Sequence, residues 1–564
     1  MVFSQDFTWA ADFEGDNSWV TAMTVDSDGN TYTAIVITET VDFDPGPANY
    51  PVTGWVEGIT VIQKLDVNGN FIWAKEFVES GDGDGIIGNG MEVQSIAIDA
   101  TGNILLTGNT SGRIDYDPGD EEYYADEIGS IYYDIFILKL NEEGELDWVQ
   151  TLGGDCADKG IDIQTDYAGD IVVTGTFCLT VDFNDDIEID ELTAGGVEGS
   201  DVFVLKLTES GEFIWVRSVE SDFFDEVFDL EIDKNNNLFI GGFYTNSADF
   251  NVGDDEYILT SEGVQESFLL KLDATGTYDW VITISGPSYG KVTSISLDSE
   301  GDIYTTGSFS GEDIDFDPGV GEFNLSAVGQ SDLFITKYAT TGDLIWAKKI
   351  GGELSDRNAL IEISAINTVY ITGNYGADID VDPSGAEYIL EHTTGDGDNY
   401  DMFIATLSQE GEFIQGQAFN GDRNDYCIDL QRGPEGSVYL AGTAHSEIDL
   451  DLSAEEFMVY GDNYEPTAYV LKLQDGNVGI EATSLASNIA LYPNPTQGDI
   501  VLNLNEPLAN VKVSVIDQTG RVVQTQNYNS AAVIQLNIDG PTGIYFVKLN
   551  SDDKEAVLKV VKSN

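Results

Sequence analysis

The hexapeptide Ile314-Asp315-Phe316-Asp317-Pro318-Gly319 is one of seven variant copies along the chain. The others begin at Val41, Ile114, Val181, Ala248, Ile379 and Ile448. Each keeps an acidic or amide pair two residues apart: Asp42/Asp44, Asp115/Asp117, Asp182/Asn184, Asp249/Asn251, Asp315/Asp317, Asp380/Asp382 and Asp449/Asp451. The first Asp recurs after 73, 67, 67, 66, 65 and 69 residues. A period this regular restricts the chain to a repeat architecture, in which one supersecondary unit is copied and stacked.

One full unit spans residues 83–154. Val93-Gln94-Ser95-Ile96-Ala97-Ile98 leads to the turn Asp99-Ala100-Thr101-Gly102-Asn103, then to Ile104-Leu105-Leu106-Thr107-Gly108 and the aspartate motif. After a loop come Ile135-Phe136-Ile137-Leu138-Lys139-Leu140, the turn Asn141-Glu142-Glu143-Gly144, and Leu146-Asp147-Trp148-Val149. These are four short β-branched or aromatic runs separated by Asp/Asn-x-x-Gly turns, without helical periodicity. Four antiparallel strands per unit, repeated, predict an all-β propeller. The last-strand Trp recurs at Trp73, Trp148, Trp215, Trp280 and Trp346, with Gln415 in the sixth unit. These indoles are expected to pack between blades. The seventh unit stops near Gly476 without a last strand, whereas the chain begins with one, Phe7-Thr8-Trp9-Ala10-Ala11-Asp12-Phe13. The expectation is therefore a seven-bladed β-propeller whose N-terminal strand closes the last blade, removing open sheet edges.

Of the 564 residues, 11% are aromatic and 42% hydrophobic, which suits a packed core rather than disorder. The chain has 23 Lys/Arg against 102 Asp/Glu, a net charge of −79. From Glu481 onward there are 6 Lys/Arg and 8 Asp/Glu, so the 17 basic and 94 acidic residues before it carry −77. Such a surface disfavours nucleic acid and anionic membranes and suits divalent cations, cationic partners or a salty medium. No run of about 18 apolar residues is present, so no membrane insertion is expected. The start, Met1-Val2-Phe3-Ser4-Gln5, reads as a mature N-terminus behind an added Met. Cys156, Cys178 and Cys427 are too few for a disulfide scaffold and lack zinc-site spacing. If the turn near Asp166–Gly169 closes a hairpin, Cys156 and Cys178 lie nearly opposite. A disulfide there and two free thiols remain the alternatives.

The repeat text resembles the SBBP-type β-propeller repeats of secreted bacterial proteins. The resemblance rests on Thr306-Gly307-Ser308, Ile314–Gly319, Asp332-Leu333-Phe334-Ile335-Thr336-Lys337 and Gly342-Asp343-Leu344-Ile345-Trp346-Ala347, and covers about residues 1–476. It implies fold and leaves function open. Residues 477–488 are small and polar, as a linker would be. Residues 489–564 show a new alternating strand pattern, expected to form a small Ig-like β-sandwich. This part resembles the type A C-terminal sorting domain of the type IX secretion system of Bacteroidota. The matching residues are Tyr492-Pro493-Asn494-Pro495, Asp517 with Gly520-Arg521, Gly543-Ile544-Tyr545 and Lys559-Val560-Val561-Lys562. The resemblance implies recognition by the secretion translocon and sorting machinery, and an exported protein that is released or held at the cell surface.

Residues two apart in an extended segment point to the same side, so the paired carboxylates converge. With main-chain carbonyls and water they would make oxygen sites for Ca²⁺ at Asp42/Asp44, Asp115/Asp117, Asp315/Asp317, Asp380/Asp382 and Asp449/Asp451. Copies with Asn184 and Asn251 would be weaker. The competing reading is an Asx turn, each Asp accepting from N–H groups of its own loop. No catalytic residue emerges: His392 and His445 lie in no metal or triad pattern, and no glycosidase carboxylate pair stands out among 102 acids. Asp273–Trp280 resembles the turn-plus-Trp repeat of quinone-dependent dehydrogenase propellers, but the rest of each unit fits SBBP text better. The function expected is a non-enzymatic binding, adhesion or structural module for a cell-surface glycan or protein ligand. A secreted glycan-active hydrolase and a calcium-stabilised surface scaffold are the alternatives.

Overall fold

A computed structural model describes residues 5–13, 17–55, 58–79, 90–119, 121–125, 132–184, 190–195, 199–221, 223–251, 256–284, 286, 289–319, 321–365, 367–393, 399–451, 456–461, 465–475, 490–492, 496–517, 522–538, 543–551 and 554–562. The expected linker, the first four residues, Pro493-Asn494-Pro495 and Gly520-Arg521 lie outside them. Two compact units separate, Asp6–Gln474 and Asp475–Asn564, the latter grouped with Met1–Gln5. The described residues form antiparallel β-sheets, with one short 3₁₀ turn at Pro434–Gly436 and no helix long and apolar enough to cross a membrane.

In the larger unit the expected four-run pattern becomes a four-stranded meander. Lys159–Thr165 pairs with Ile171–Phe177, which pairs with Asp201–Leu207, which pairs with Phe213–Ser221. Among the described residues this arrangement occurs seven times. The seventh sheet is completed by Gln5–Asp12, which lies beside Thr467–Asp475, as the N-terminal strand text predicts. The second and third strands are buried along nearly their whole length, because each sheet is covered on both faces by its neighbours. Side chains from successive sheets share each core. One cluster joins Leu105 and Ile137 to Val173, Phe203 and Leu205, another joins Phe13 and Ile35 to Tyr439 and Val470.

The first strands are Ser18–Val25, Gly90–Ile98, Lys159–Thr165, Glu226–Ile232, Gly290–Leu297, Asp356–Ile363 and Asp425–Arg432. Each contacts the next, and the last contacts the first, so the sheets close a ring. Every one carries a register shift against its second strand, as between Gly160/Asp162 and Cys427/Asp429. Such bulges re-aim a side chain.

The recurring tryptophans join sheets in the way expected. The turn glycine between the third and fourth strands of one sheet packs on the indole of the preceding sheet: Gly69 on Trp9, Gly144 on Trp73, Gly211 on Trp148, Gly276 on Trp215, Gly342 on Trp280 and Gly411 on Trp346. These glycines sit at positive φ, 76° at Gly144 and 73° at Gly411, where a Cβ would also strike the ring. Gln415 interrupts the series for a structural reason. The seventh sheet takes its fourth strand from the chain start, so no such turn lies there for an indole to cover.

In the smaller unit Ala490–Tyr492, Asp499–Asp517, Gly543–Ser551 and Lys554–Lys562 are neighbours in one sheet, and Val522–Asn537 pairs with Asp499–Asp517. A register irregularity between Asn503 and Leu508 divides the longest strand into two parts. Both parts feed one core: Ile500, Leu502 and Leu504 from the first, Val511, Val513 and Val515 from the second, with Ile534, Val547 and Leu549.

Candidate functional sites

The loop aspartates named from sequence occupy one recurring geometry. Asp315 Oδ1 accepts from Asp317 N (3.0 Å) and Phe323 N (2.9 Å), and Asp317 Oδ1 accepts from Gly319 N (2.8 Å). Asp42 and Asp44, Asp115 and Asp117, and Asp380 and Asp382 repeat the whole pattern. Asp449 accepts from Asp451 N and Phe457 N at 3.0 Å each. Asp182 and Asp249 do the same for the Asn-bearing copies. The first Asp thus fastens both ends of an eight-residue loop, the Asx-turn role in an extended form. Among the described residues no group of three His, Cys, Asp or Glu is placed to hold a metal ion.

A second aspartate series closes the hairpin between first and second strands. Asp166, Asp99 and Asp298 accept from their turn amides, and a buried lysine of the third strand reaches each carboxylate. The ion pairs are Lys206–Asp166 (2.7 Å), Lys139–Asp99 (3.1 Å) and Lys337–Asp298 (3.1 Å). Hydrogen bonds from Asn103 and Thr101 and the Lys139 ammonium outweigh burial at Asp99, holding its carboxyl down at about 2. The signal was legible as Ile/Val-x-Lys-Leu/Tyr in these third strands, and sequence reasoning left it unused.

At the ring axis lies a polar cavity of about 380 Å³, lined by Asp162, Asp229, Glu231, Glu362, Asp429 and Arg432 among others. The bulges aim three of these at the next sheet. Asp162 accepts from Leu230 N (2.8 Å), Asp229 from Ile295 N (2.5 Å) and Asp429 from Met23 N (2.8 Å). Ser95 and Ser294 take the same place with Ile163 N and Ile361 N. Burial pushes Glu231 up to about 8, reinforced by the charge of Glu362 and opposed by Arg432. Burial likewise raises Glu362 to about 7 and Asp429 to about 6. Burial, reinforced by the charge of Asp162, raises Asp229 well above the usual carboxylate range. No single run of sequence contains this cluster, because its members come from four different first strands.

Two further cavities open between neighbouring sheets. One of about 510 Å³ is lined by Cys156, Cys178, Leu179, Phe224, Asp225 and Phe243, among others. The next, about 360 Å³, includes Glu226, Gln265, Tyr289 and Lys291. Phe223, Phe224 and Tyr289 are at least half exposed at these positions. Cys156 and Cys178 are joined in a disulfide with Cα atoms 5.9 Å apart, which settles the alternatives left by the sequence; Cys427 is free and buried. His392 Nε2 lies 3.2 Å from Asn399 O and 3.8 Å from Asp401, and His445 packs edge-on against Tyr426.

Ring and tail together define an all-β exported protein. Residues 490–563 match a secretion system C-terminal sorting domain, so the protein is delivered by the type IX system to the cell surface or extracellular space and engages that machinery. An uncharacterized WD repeat-containing protein of Acanthamoeba polyphaga mimivirus is 24% identical over 269 residues, 42% of this chain and 19% of that protein. The chain therefore spans about a fifth of that relative's length. Among solved structures, a catalytically inactive virginiamycin B lyase from Staphylococcus aureus, crystallised with quinupristin, is 11% identical. That match covers 82% of this chain and 98% of the lyase, with a TM-score of 0.36. A duf4221 family member from Bacteroides vulgatus is 12% identical, covering 84% and 98%, with a TM-score of 0.31. At these scores neither structure carries an argument about this chain.

Proposed function

We propose that the larger unit is a seven-bladed β-propeller of SBBP-type repeats, that the tail is an Ig-like sorting sandwich, and that the exported protein is a non-enzymatic binding module. Its ligand class is a cell-surface glycan or a protein segment with apolar faces. The observation that carries this reading is the exposed aromatic series at the cavities between sheets, Phe224 at one and Tyr289 at the next. Exposed aromatics beside a cavity offer flat apolar area for a sugar ring or side chain to stack on. The test is a glycan and surface-extract binding screen with the purified protein, repeated with Phe224→Ala/Tyr289→Ala. Binding lost in the double variant supports the reading; binding unchanged there overturns it. Deleting residues 490–563 should abolish surface delivery without unfolding the larger unit.

The axial cavity favours one second reading, a hydrolase. Glu231 and Glu362 are carboxyls held near neutral pKa beside Arg432, which is the kind of environment that makes a general acid. Glycan cleavage that disappears in both Glu231→Gln and Glu362→Gln would establish it in place of binding alone.

A further inference from the structure

Around one end of the ring axis, charged and aromatic side chains are interleaved along four successive first strands. Lys159, Glu226 and Lys291 each stand one residue before the register shift of their strand, opposite Thr176, Phe243 and Ser308. Arg357, opposite Asn374, is the last paired residue before the shift in the sixth sheet. Phe224 and Tyr289 occupy equivalent places, bridged to Ser200 and Gln265, the residues that precede the third strand of the sheet before. At the flanking seams the same place is taken by Ala157 and Ser355, so the aromatic pair is confined to two consecutive seams.

These side chains line the two cavities between sheets. Lys159, Thr176, Ser200 and Phe224 border the one of about 510 Å³, and Tyr289, Lys291, Ser308 and Ser331 the one of about 360 Å³. Glu226 and Phe243 belong to both, so the cavities share a wall. Each offers an exposed aromatic ring, an ammonium group and two hydroxyls. The same chemistry is therefore written twice, one repeat apart.

The local charge is opposite to that of the ring as a whole. The ion pairs of the ring use Lys139, Lys206, Lys271, Lys337, Lys348 and Lys349, whereas Lys159, Lys291 and Arg357 form none among the described residues. Glu226 is raised by burial and held back by Lys291 and Lys159, one carboxyl beside two ammonium groups. Burial pulls Lys291 below its ordinary pKa, Glu226 opposes the fall, and Arg357 adds to it. Arg357 is fixed by its stack on Tyr400, 3.7 Å from the ring centroid, and donates to Tyr426 Oη (3.3 Å).

The seams also bury aspartates in pairs 24 residues apart: Asp134/Asp158, Asp201/Asp225, Asp332/Asp356 and Asp401/Asp425. These do not cancel the row. Burial pushes both Asp225 and Asp356 up to about 8, which leaves them largely uncharged at pH 7, and Asp332 is met by Lys349 at 3.0 Å. One ionisable carboxyl thus stands among three cations at this rim, an excess that suits an anion.

We infer that the two cavities form one groove with two subsites for an acidic polysaccharide, whose sugar rings stack on Phe224 and Tyr289 while its uronate or sulfate groups meet Lys159, Lys291 and Arg357. The inference rests on the binding reading above and names its ligand class. Aromatic faces alone would accept a neutral sugar; ammonium and guanidinium donors add the preference for an anion. The ring repels a polyanion at long range, but at about 0.15 M ionic strength screening over about 8 Å leaves the local row in control.

The test is calorimetry on the full-length protein at about 0.15 M NaCl. The probes are polygalacturonate, its carboxyl-reduced neutral form, dextran sulfate, dextran and poly-glutamate. Polygalacturonate or dextran sulfate should bind about tenfold or more tightly than its uncharged counterpart, and the tighter of the two identifies the anion as carboxylate or sulfate. Lys159→Gln and Lys291→Gln should each weaken that binding about tenfold without changing Tm. Lys234→Gln, which removes an exposed lysine charge elsewhere on the ring, should leave it unchanged. Neutral polymers bound as tightly as acidic ones overturn the inference and leave the binding reading standing. No polysaccharide bound at all overturns the inference and removes glycans from that reading as well. Wild-type affinity in the Lys159→Gln/Lys291→Gln double variant overturns it, as does poly-glutamate bound as tightly as the acidic polysaccharides, which would assign the groove to acidic peptides.

Discussion

Two aspartate series run through the same ring, and they behave oppositely. The loop series recurs in all seven units, is half-buried or exposed in most copies, and spends its Oδ1 atoms on the amides of its own loop, as Asp315 does with Asp317 N and Phe323 N. The seam series occurs at four of seven seams, is buried, and at Asp134, Asp225 and Asp356 leaves oxygens unmatched. Elsewhere the seam is built without the pair: Gly290 N donates to Gln265 O beside Ser267, and Ser18 receives the Ala468 amide. A device present in every copy answers a need of every copy, here closing a loop. A device present in some copies is dispensable to the fold.

The strongest attack on this contrast is Lys349→Met. It leaves Asp332 and Asp356 buried without their cation, and should cost about 3 kcal/mol by urea unfolding. Unchanged stability would erase the distinction between the two series.

A pH series comes next. Burial and the facing carboxylate push Asp134 up to about 7, and burial pushes Asp158 to about 7; burial, then Asp201, pushes Asp225 to about 8. These folded-state values exceed the unfolded ones, so between about pH 4 and pH 8 the folded chain holds more protons than the unfolded chain. Stability should therefore fall as pH rises through 6 to 8, by up to about 1.4 kcal/mol per pH unit for each proton released. Thermal melts across pH provide the readout.

Substitutions in the loop series should have smaller effects. Asp315→Ala removes the acceptor for two loop amides and should cost about 1–2 kcal/mol in chemical denaturation. Asp317→Ala loses only the exposed Gly319 amide bond and should cost less than about 1 kcal/mol. A larger cost for Asp315→Ala than for Lys349→Met would invert the comparison.

Much of the architecture was legible in the residues. Asp/Asn-x-x-Gly turns at fixed offsets gave the meanders, and Phe7–Phe13 at the chain start gave the strand that completes the last sheet. The tryptophan series was read correctly as packing between units. The interruption at Gln415 makes sense only once the turn it would cover is seen to be missing. The site was less legible. Repetition drew attention to Ile-Asp-Phe-Asp-Pro-Gly, while the seam signal, Asp before Ile/Val/Leu/Met-Phe followed by Asp 24 residues on, lay between units and was divided by the turn grammar. The axial acids were hidden for the same reason, since Asp162 meets Leu230 and Asp429 meets Met23 only across seams.

By itself the sequence determined the repeat, the strand and turn pattern within each unit, the acidic charge of the ring and the sorting address at the tail. These follow from local conformational preference, period and composition, all of which are written in neighbouring residues. Tertiary structure alone decided which carboxylates are buried, which face one another across a seam, and which of them a lysine reaches. Those depend on ring closure, which brings residues from different repeats into contact and removes the water that would otherwise have solvated them.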